Sequence, residues 1–390
     1  MQLSQRVQEI ASSQSLVMAE RSRVMRANGI DVISMSLGEP DLDTPEPVRR
    51  AAQEAIEGGW SHYGPVAGIP SLREAIAKAQ NAALGAESIH FETADVIVSV
   101  GAKMAIYNAI QTVINPGDEV IIPMPAWVSY SEMVKLAGGK VVPVKTSIET
   151  DYCLTPEQLS TALTDKTRML ILCSPNNPTG SVYSHEQLAA LVAVLQDYPE
   201  VVVLSDEIYA ALVYEGQAHS LAAFGELADR LIVINGVSKA YAMTGYRIGW
   251  LLSKNLAFIA ACTRLQGQQL TCATMVAQKA AEAALTGPQD CVQAMRKVFA
   301  ERRKLICQLA AKIPGWRFNQ PKGAFYLFPD VSAIGTGDKV AEQLLEQAHV
   351  AVVSGSAFGC PECIRLSYAI GTEEIREAMR RICEQQKNRL

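Results

Sequence analysis

Five short apolar runs recur through the middle of the chain and constrain its fold more than any other feature. Their sequences are DVIVSV (95–100), DEVIIP (118–123), RMLILC (168–173), VVVLSD (201–206) and LIVIN (231–235). The runs are rich in β-branched residues, are apolar on both faces and are separated by helical patterns. Such runs are typical of buried strands in a mainly parallel sheet with helices on both faces. We therefore predict an α/β fold.

Two helix starts between these runs favour the same fold. Thr155 in TPEQL suits an N-cap, with Pro156 at the first helical position. Ser184 and Gln187 in SHEQL have the spacing of a capping box. Helices that begin at these residues would connect successive strands of the sheet.

The pattern changes near residue 288. A charged helical segment, QAMRKVFAERRKLICQL, precedes the strand-like GAFYLF, VAVVS and CIRLSYA, and the helical TEEIREAMRRICEQQ follows them. We predict a large domain over residues 46–287 with a mainly parallel seven-stranded sheet between helices. Residues 1–45 and 288–390 would form a smaller α+β domain.

Composition excludes several classes of protein. The 390 residues carry a net charge of −5 without blocks of one sign, which gives no electrostatic footprint for nucleic acid or an anionic membrane. The sequence contains no run of 18 apolar residues, so we predict no transmembrane helix. The first residues lack the apolar core of a secretory signal. Nine scattered cysteines do not resemble a disulfide framework, so we predict a cytoplasmic protein with reduced thiols.

Polar and aromatic side chains follow the ends of the predicted strands. Because the carboxyl ends of parallel strands meet at one edge of a sheet, where ligands bind, we expect these residues to lie together. In chain order they are Gly101, which opens a helix, then Trp127, Asn176, Asn177, Asp206, Tyr209, Ser238 and Lys239.

These groups suit a ligand with a phosphate, an aldehyde and a ring nitrogen. A helix N-terminus after a glycine binds anions, and Ser238 and Arg247 could add a hydroxyl and a charge. A desolvated lysine can form a Schiff base with an aldehyde, and a carboxylate can keep a pyridine nitrogen protonated. Pyridoxal phosphate carries all of these groups. Taken singly, Lys239 could instead be a solvated surface residue, Asp206 a helix N-cap and Trp127 core packing.

Several longer blocks resemble the class I, fold-type I, pyridoxal-phosphate aminotransferases. The blocks are SPNNPTG (174–180), SDEIYAALVYEG (205–216) and GVSKAYAMTGYRIG (236–249). LGEPDLDTP (37–45), YGPVAGIPSLREAI (63–76) and IRLSYA (364–369) extend the resemblance over nearly the whole chain. Within this class the chain looks most similar to bacterial aspartate aminotransferases.

The resemblance implies a role for each residue around the cofactor. Lys239 would form the Schiff base with pyridoxal 5'-phosphate and then carry a proton at the substrate Cα. Asp206 would pair with the pyridine nitrogen, Tyr209 and Asn177 would bind the phenolic oxygen, and Trp127 would stack on the ring. The phosphate would be bound by Ser238 and Arg247 and by the backbone N–H groups of Gly101, Ala102 and Lys103.

The resemblance also implies how the substrate and a second subunit are engaged. Arg365 would bind the α-carboxylate as a bidentate fork, assisted by the backbone of Gly38. From the residues alone, Arg365 in its strand could equally pair with an internal acid. Lys103 could reach the distal carboxylate of a dicarboxylic substrate, or contact only phosphate or solvent. Tyr63 would reach the phosphate of the neighbouring subunit, so a homodimer is expected.

The expected reaction is a ping-pong transamination between an amino acid and a 2-oxo acid. We predict L-aspartate as the donor and 2-oxoglutarate as the acceptor. Aromatic, branched-chain, alanine or prephenate substrates remain open. The same fold and lysine also serve carbon–sulfur lyases, which would release pyruvate and ammonia from cystathionine. A non-catalytic DNA-binding regulator is disfavoured by the short N-terminal segment and the negative net charge.

Two minor signals remain in the sequence. CPEC (360–363) has the CxxC spacing of redox and zinc motifs, but no second pair completes a zinc site. The motif enters a strand, whereas a redox pair usually opens a helix, so we interpret it as a loop. Oxidation there could still disturb Arg365, two residues further on. The five histidines have no ligand spacing, and we predict no metal.

Overall fold

A seven-stranded sheet forms the centre of the computed structural model, which describes residues 1–85 and 88–387. The strands, in chain order, are β1 (Ile33–Ser34), β2 (Val96–Val100), β3 (Glu119–Met124), β4 (Lys140–Lys145), β5 (Thr167–Cys173), β6 (Val202–Asp206), β7 (Leu231–Gly236), β8 (Ile248–Leu252), β9 (Tyr326–Leu327), β10 (Val350–Ala351), β11 (Val353–Ser354) and β12 (Ile364–Ser367). The large sheet has the order β2-β8-β7-β6-β5-β3-β4. Only β8 runs antiparallel to its neighbours. The predicted mainly parallel seven-stranded sheet is confirmed.

Helices surround this sheet. They are α1 (Gln5–Gln8), α2 (Gln14–Ala27), α3 (Glu46–Glu57), α4 (Pro70–Ala82), α5 (Gly101–Val113), α6 (Ser129–Leu136), α7 (Pro156–Ala162), α8 (His185–Leu195), α9 (Val237–Ala240), α10 (Leu256–Leu270), α11 (Met275–Thr286), α12 (Asp290–Ala310), α13 (Gly337–Gln347) and α14 (Thr372–Lys387). None of the helices in the described part of the chain is long and apolar enough to cross a membrane.

Apolar side chains bury both faces of the sheet. Along β5, Met169 and Ile171 belong to one hydrophobic cluster, whereas Leu170 and Leu172 belong to another. Successive side chains of a strand point to opposite faces, so two separate clusters require two covered faces. This double burial explains why the predicted runs are apolar at nearly every position.

The predicted runs and caps correspond closely to the observed elements. The five runs became β2, β3, β5, β6 and β7. Thr155 and Ser184 both cap their helices, accepting hydrogen bonds from the backbone N–H groups of Gln158 at 3.3 Å and Gln187 at 3.2 Å. Both caps are complete capping boxes. The edge strand β4 was not among the five runs because its exposed residues Lys140, Pro143 and Lys145 interrupt its half-buried valines.

The N-terminal and C-terminal segments pack against each other beside the large sheet. Strand β1 pairs with β10 in parallel, and β11, β12 and β9 form a three-stranded antiparallel sheet. The predicted strand-like segments are longer than the observed strands, and two of them begin with residues that form isolated bridges, Gly323 with Val213 and Cys363 with Asp330. The domain boundaries at residues 46 and 288 stay predictions.

Candidate active site

A cavity of about 520 Å³ opens at the carboxyl edge of the large sheet. Strands β5, β6 and β7 end there, and α5 and α9 begin there. Eleven residues singled out in the sequence line this cavity, namely Gly38, Ala102, Lys103, Trp127, Asn177, Asp206, Tyr209, Ser238, Lys239, Arg247 and Arg365. The expectation that strand-end residues lie together therefore agrees with the geometry; the roles given to them stay predictions.

Lys239 lies in the short helix α9, directly after β7. Its Nζ donates a hydrogen bond of 2.5 Å to the carbonyl of Gly38. Burial lowers the pKa of the Lys239 amine to about 8, the negative charge of Glu39 opposes this shift, and Arg247 reinforces it. An amine with this pKa is neutral in a sizeable fraction of molecules near neutral pH, so it can act as a nucleophile or a base.

Asp206 is the last residue of β6 and is buried. Its Oδ2 accepts a hydrogen bond of 2.5 Å from the hydroxyl of Tyr130, and its Oδ1 accepts one of 3.1 Å from the backbone N–H of Ile208. Burial raises the pKa of Asp206 to about 6, although the hydrogen bond from Tyr130 opposes the shift. The carboxylate is therefore ionised near neutral pH and lies at a cavity wall.

The guanidinium of Arg247 is a second cationic group of the cavity and lies beside the start of α5. Gly101 has a φ of +78°, and a Cβ at this position would overlap the guanidinium of Arg247. Only glycine fits this conformation and this close approach without strain. Ser238 also lines the cavity. The first-turn N–H groups of α5, a hydroxyl and a guanidinium thus surround one space, which is a suitable site for a dianionic phosphate.

Arg365 lies on β12 and is buried on the opposite side of the cavity. Its guanidinium donates to Asn177 Oδ1 at 3.0 Å, to the Ser36 carbonyl at 2.7 Å and to Ser15 Oγ at 3.2 Å. Its centre lies 4.6 Å from the ring centroid of Tyr326. All of these partners are neutral.

No ion pair within residues 1–85 and 88–387 includes Arg365. Burial lowers the pKa of Arg365, yet a guanidinium remains charged. A buried charge is costly unless it is paired. Its Nε also has no hydrogen-bond partner. An internal acid partner for Arg365, one of the two possibilities left open by the sequence, is absent from the described part of the chain.

Lys103 and Trp127 form the rim of the same cavity. Lys103 Nζ lies 4.8 Å from the centroid of the Trp127 ring. Partial burial and the charge of Arg247 lower the pKa of Lys103. The rings of Trp127 and Tyr130 contact each other edge to face, with 5.3 Å between their centroids.

Three residues singled out in the sequence, Tyr63, Gly101 and Asn176, do not line the cavity. Gly101 lies directly behind Arg247, as described above. Tyr63 is 88% exposed and lies outside the cavity. Its predicted role toward a neighbouring subunit stays a prediction.

Three residues of the site were missed by the sequence analysis. Tyr130 holds Asp206, Tyr326 shares a hydrogen bond of 2.7 Å between hydroxyls with Tyr209, and Ser15 contacts Arg365. Tyr130 stands three residues after Trp127, a helical spacing that could have suggested a shared face. Nothing local in the sequence marks Ser15 or Tyr326.

The donor set fits pyridoxal phosphate. An anion site stands at α5, an amine of lowered pKa at Lys239, and a carboxylate at Asp206 is held by hydrogen bonds. The absence of a side chain at Gly101 lets the guanidinium of Arg247 lie directly against the start of α5. No group of three or more potential metal ligands occurs in the described residues. The anion site, the amine and the carboxylate together suit an organic cofactor with a phosphate and a carbonyl.

Comparisons with known proteins place the chain among similar sequences and structures. The family model described as aminotransferase class I and II matches residues 30–382. The chain is 43% identical to an aspartate aminotransferase of Bacillus sp. (strain YM-2), covering 97% of this chain and 98% of the relative. It is 41% identical to an aspartate/prephenate aminotransferase of Cereibacter sphaeroides, covering 97% of each.

Solved structures give the same result. An aspartate aminotransferase from Rhizobium meliloti superposes with a TM-score of 0.95 at 37% identity, covering 99% of each chain. The Thermus thermophilus aspartate aminotransferase with maleate gives a TM-score of 0.94 at 38% identity, covering 99% of this chain and 100% of the other.

Proposed function

The chain belongs to the class I and II aminotransferases, and on this premise we propose that it transfers the amino group of L-aspartate to 2-oxoglutarate. It is a pyridoxal-phosphate-dependent enzyme of transamination, as this family is. The reaction would follow a ping-pong course in which each half-reaction uses the same cavity. The observation that carries the substrate class is Arg365, a buried cation without an acid partner in the described residues, across the cavity from Lys239.

The cofactor would be held at both ends by residues of this chain. Ser238, Arg247 and the first N–H groups of α5 would bind its phosphate. Trp127 would stack on its ring, and Tyr209 with Asn177 would bind its phenolic oxygen. When bound, the cofactor supplies an electron sink that stabilises negative charge at the substrate Cα.

Asp206 would keep the ring nitrogen protonated. Because its pKa is about 6, the carboxylate is mostly ionised at neutral pH and can pair with a protonated nitrogen. Tyr130 stabilises this charged form by donating its hydroxyl hydrogen to Oδ2. Burial also raises the pKa of Tyr130 well above its usual value, so the tyrosine remains a donor.

Lys239 would move the proton at the substrate Cα. Its lowered pKa of about 8 lets the amine accept a proton near neutral pH and return it in the next step. The hydrogen bond from Nζ to the Gly38 carbonyl orients the side chain toward the Arg365 side of the cavity.

Arg365 would orient the substrate by its α-carboxylate. The guanidinium is fixed by Asn177, Ser36 and Ser15, and a planar fork can bind a carboxylate through two parallel hydrogen bonds. An ion pair with the substrate carboxylate would compensate the buried charge of Arg365. The Gly38 backbone lies beside this position and would assist.

Lys103 would select dicarboxylic substrates. Its ammonium lies above the Trp127 ring at the rim of the cavity, from which it can reach a carboxylate at the distal end of a substrate. The thermophilic structural relative whose name includes maleate, a dicarboxylate, is consistent with this assignment.

The absorption spectrum of the purified holoenzyme tests the proposal. Adding L-aspartate should convert the absorption of the aldehyde form of the cofactor into that of the amine form, with one oxaloacetate released per site. Lys239→Ala should abolish this conversion, whereas the surface variant Lys135→Ala should retain it. Conversion by L-phenylalanine or L-alanine but not by L-aspartate would overturn the substrate assignment. Pyruvate and ammonia from cystathionine would instead indicate a carbon–sulfur lyase.

Prephenate is the second candidate acceptor. Leu16 and Leu37 line the cavity beside its polar groups, and one relative is named an aspartate/prephenate aminotransferase. Incubating the amine form of the enzyme with prephenate, and following the return of the aldehyde form, tests this candidate directly.

The assembly and location of the enzyme are further proposals. We propose a homodimer in which the exposed Tyr63 contacts the phosphate site of the neighbouring subunit. Mixing Tyr63→Ala with Lys239→Ala subunits tests it, because hybrid dimers would regain one intact site. A monomer in solution would contradict the proposal. We also propose a cytoplasmic location, which cell fractionation would test.

A further inference from the structure

Cys360 and Cys363 form a pair of thiols next to the predicted substrate side of the cavity. Their sulfurs lie 3.3 Å apart, and both residues are at most 5% exposed. They pack in a small cluster with Tyr152, Phe328 and Phe358. No other role in the proposed reaction uses these two residues.

The backbone holds the two cysteines in one fixed turn. The Cys363 N–H donates to the Cys360 carbonyl at 3.0 Å, and the Cys360 N–H donates to the Gly355 carbonyl at 2.9 Å. The Gly355 N–H in turn donates to the Cys363 carbonyl at 2.7 Å, and a Cβ at Gly355 would overlap both cysteine carbonyls. The close approach of the sulfurs therefore follows from the main-chain path.

We propose that Cys360 and Cys363 are a dithiol modification site, which a low-molecular-weight disulfide such as oxidised glutathione converts into an internal disulfide that weakens amino-acid binding at Arg365. The thiolate of one cysteine attacks the external disulfide, forming a mixed disulfide and releasing one thiol. The second cysteine then attacks the mixed disulfide and releases a second thiol. The two cysteines lose two electrons and two protons, and the external disulfide gains them as two thiols.

The two steps differ in rate for a physical reason. Burial and the neighbouring Cys363 thiol disfavour the charged form of Cys360, since the hydrogen bond between the two thiols raises the pKa of Cys360 far above its usual value. Both thiols are buried, so the first attack requires the turn to open and is slow. The second is fast, because its nucleophile already lies beside the target sulfur.

Contacts connect the turn to Arg365. Cys363 is followed directly by Ile364 and Arg365, the first two residues of β12. The Ile364 N–H donates to the Pro329 carbonyl. Phe358, in the cysteine cluster, has its ring centroid 4.9 Å from the Arg365 guanidinium. A disulfide bond is about 2.05 Å long, so oxidation would draw the sulfurs together by more than about 1 Å. This change would shift Phe358 and the start of β12, and with them the guanidinium of Arg365.

The inference rests on the proposed role of Arg365 in substrate binding. It predicts that oxidation raises the KM for L-aspartate by about tenfold or more and leaves kcat within about twofold, because a displacement near 1 Å in a positioning group can cost up to about a hundredfold. Reduction with dithiothreitol should reverse the change. The cofactor should stay bound, since its predicted phosphate ligands Ser238 and Arg247 lie on the sheet wall of the cavity.

The test uses holoenzyme in which the three partly exposed cysteines, Cys272, Cys291 and Cys383, are replaced by serine so that they do not react. Incubation with oxidised glutathione should lower the free thiol count by two and the protein mass by two hydrogens, without a glutathione adduct. Cys360→Ser and Cys363→Ser should each block this loss of two thiols and keep the lower KM.

Two results would overturn the inference. One is an unchanged thiol count under conditions in which an unfolded sample loses its thiols. The other is an internal disulfide with an unchanged KM for L-aspartate. If the enzyme does not convert L-aspartate at all, the proposed function fails, whereas the thiol count and the mass still decide disulfide formation independently.

Discussion

The two walls of the active-site cavity are built in different ways. The sheet wall takes Asp206 and Lys239 from the ends of adjacent strands, and burial shifts the pKa of each toward neutrality. The opposite wall places Arg365 among neutral partners from distant parts of the chain, including Ser15 and Ser36. One wall thus has groups that can gain or lose protons, whereas the other has a permanent cation.

This difference suggests a division of work. Proton transfer requires groups whose pKa lies near the working pH, which only the sheet wall offers. Recognition of a carboxylate requires a fixed, always charged fork, and Arg365 supplies one on the opposite wall. Substitutions in the sheet wall should therefore affect the rate of the chemical step, and substitutions in the opposite wall should affect substrate affinity.

The largest effect is expected for Asp206→Ala. Without the carboxylate the ring nitrogen would lose its charged partner, so kcat should fall by about a thousandfold or more while the protein still folds. Steady-state kinetics together with circular dichroism would measure both properties. The matched control is Asp95→Ala, which removes an equally buried carboxylate paired with Lys254 at the start of β2. Near-normal turnover of Asp206→Ala would contradict the assignment.

A smaller effect is expected for the stability of the cofactor-free protein. Burial raises the pKa of Asp206 from 3.8 to about 6, so ionisation of Asp206 destabilises the folded protein. This destabilisation is absent below about pH 4 and reaches its full size above about pH 6. The free energy of unfolding of Asp206→Asn at about pH 8 should therefore be higher than that of wild type, by up to about 3 kcal/mol.

Chemical denaturation across this pH range would measure the difference. It should shrink as the pH falls through about 6 to about 4. The control Asp95→Asn removes the partner of Lys254 and should instead destabilise the protein. A pH-independent difference would show that ionisation of Asp206 is not its cause.

Arg365→Lys is a milder substitution, in the opposite wall of the cavity, and should lower substrate affinity. Lysine keeps the charge but loses the bidentate fork, so the KM for L-aspartate should rise about ten- to fiftyfold with a smaller change in kcat. Initial-rate kinetics at several aspartate concentrations would measure both constants. Arg230→Lys is the control, because Arg230 donates to backbone carbonyls far from the cavity. An unchanged KM would remove Arg365 from substrate binding.

Tyr130→Phe should give the smallest effect. The variant loses the hydrogen bond that opposes the raised pKa of Asp206, so that pKa should rise further. Cofactor affinity and kcat should fall severalfold at about pH 6 and little at about pH 8, which titration and pH–rate profiles would measure. Tyr183→Phe, another buried tyrosine that accepts a backbone hydrogen bond, should leave both profiles unchanged. Identical profiles for Tyr130→Phe and wild type would exclude this role.

The sheet wall could be predicted from the sequence and the opposite wall could not. Parallel strands bring their carboxyl ends together, so residues that follow apolar runs, such as Asp206 and Lys239, must share one edge. No such rule joins Ser15 to Arg365, because their contact depends on how the first and last parts of the chain pack. The identity of Arg365 came from a family motif, and its neutral surroundings came only from the structure.

The cysteine turn marks another limit of the sequence. The spacing of Cys360 and Cys363 is compatible with a plain loop, with a zinc half-site or with a redox pair. The short distance between the sulfurs depends on the Gly355 carbonyl and N–H, which spacing alone does not encode.

The most direct test of the division between the two walls is the first half-reaction measured by rapid mixing. Wild type, Asp206→Asn and Arg365→Lys, each loaded with cofactor, would be mixed with increasing L-aspartate. We expect Asp206→Asn to lower the limiting rate with little change in the aspartate dissociation constant. Arg365→Lys should raise that constant with little change in the limiting rate. If both variants change the same parameter, the two walls do not have separate roles.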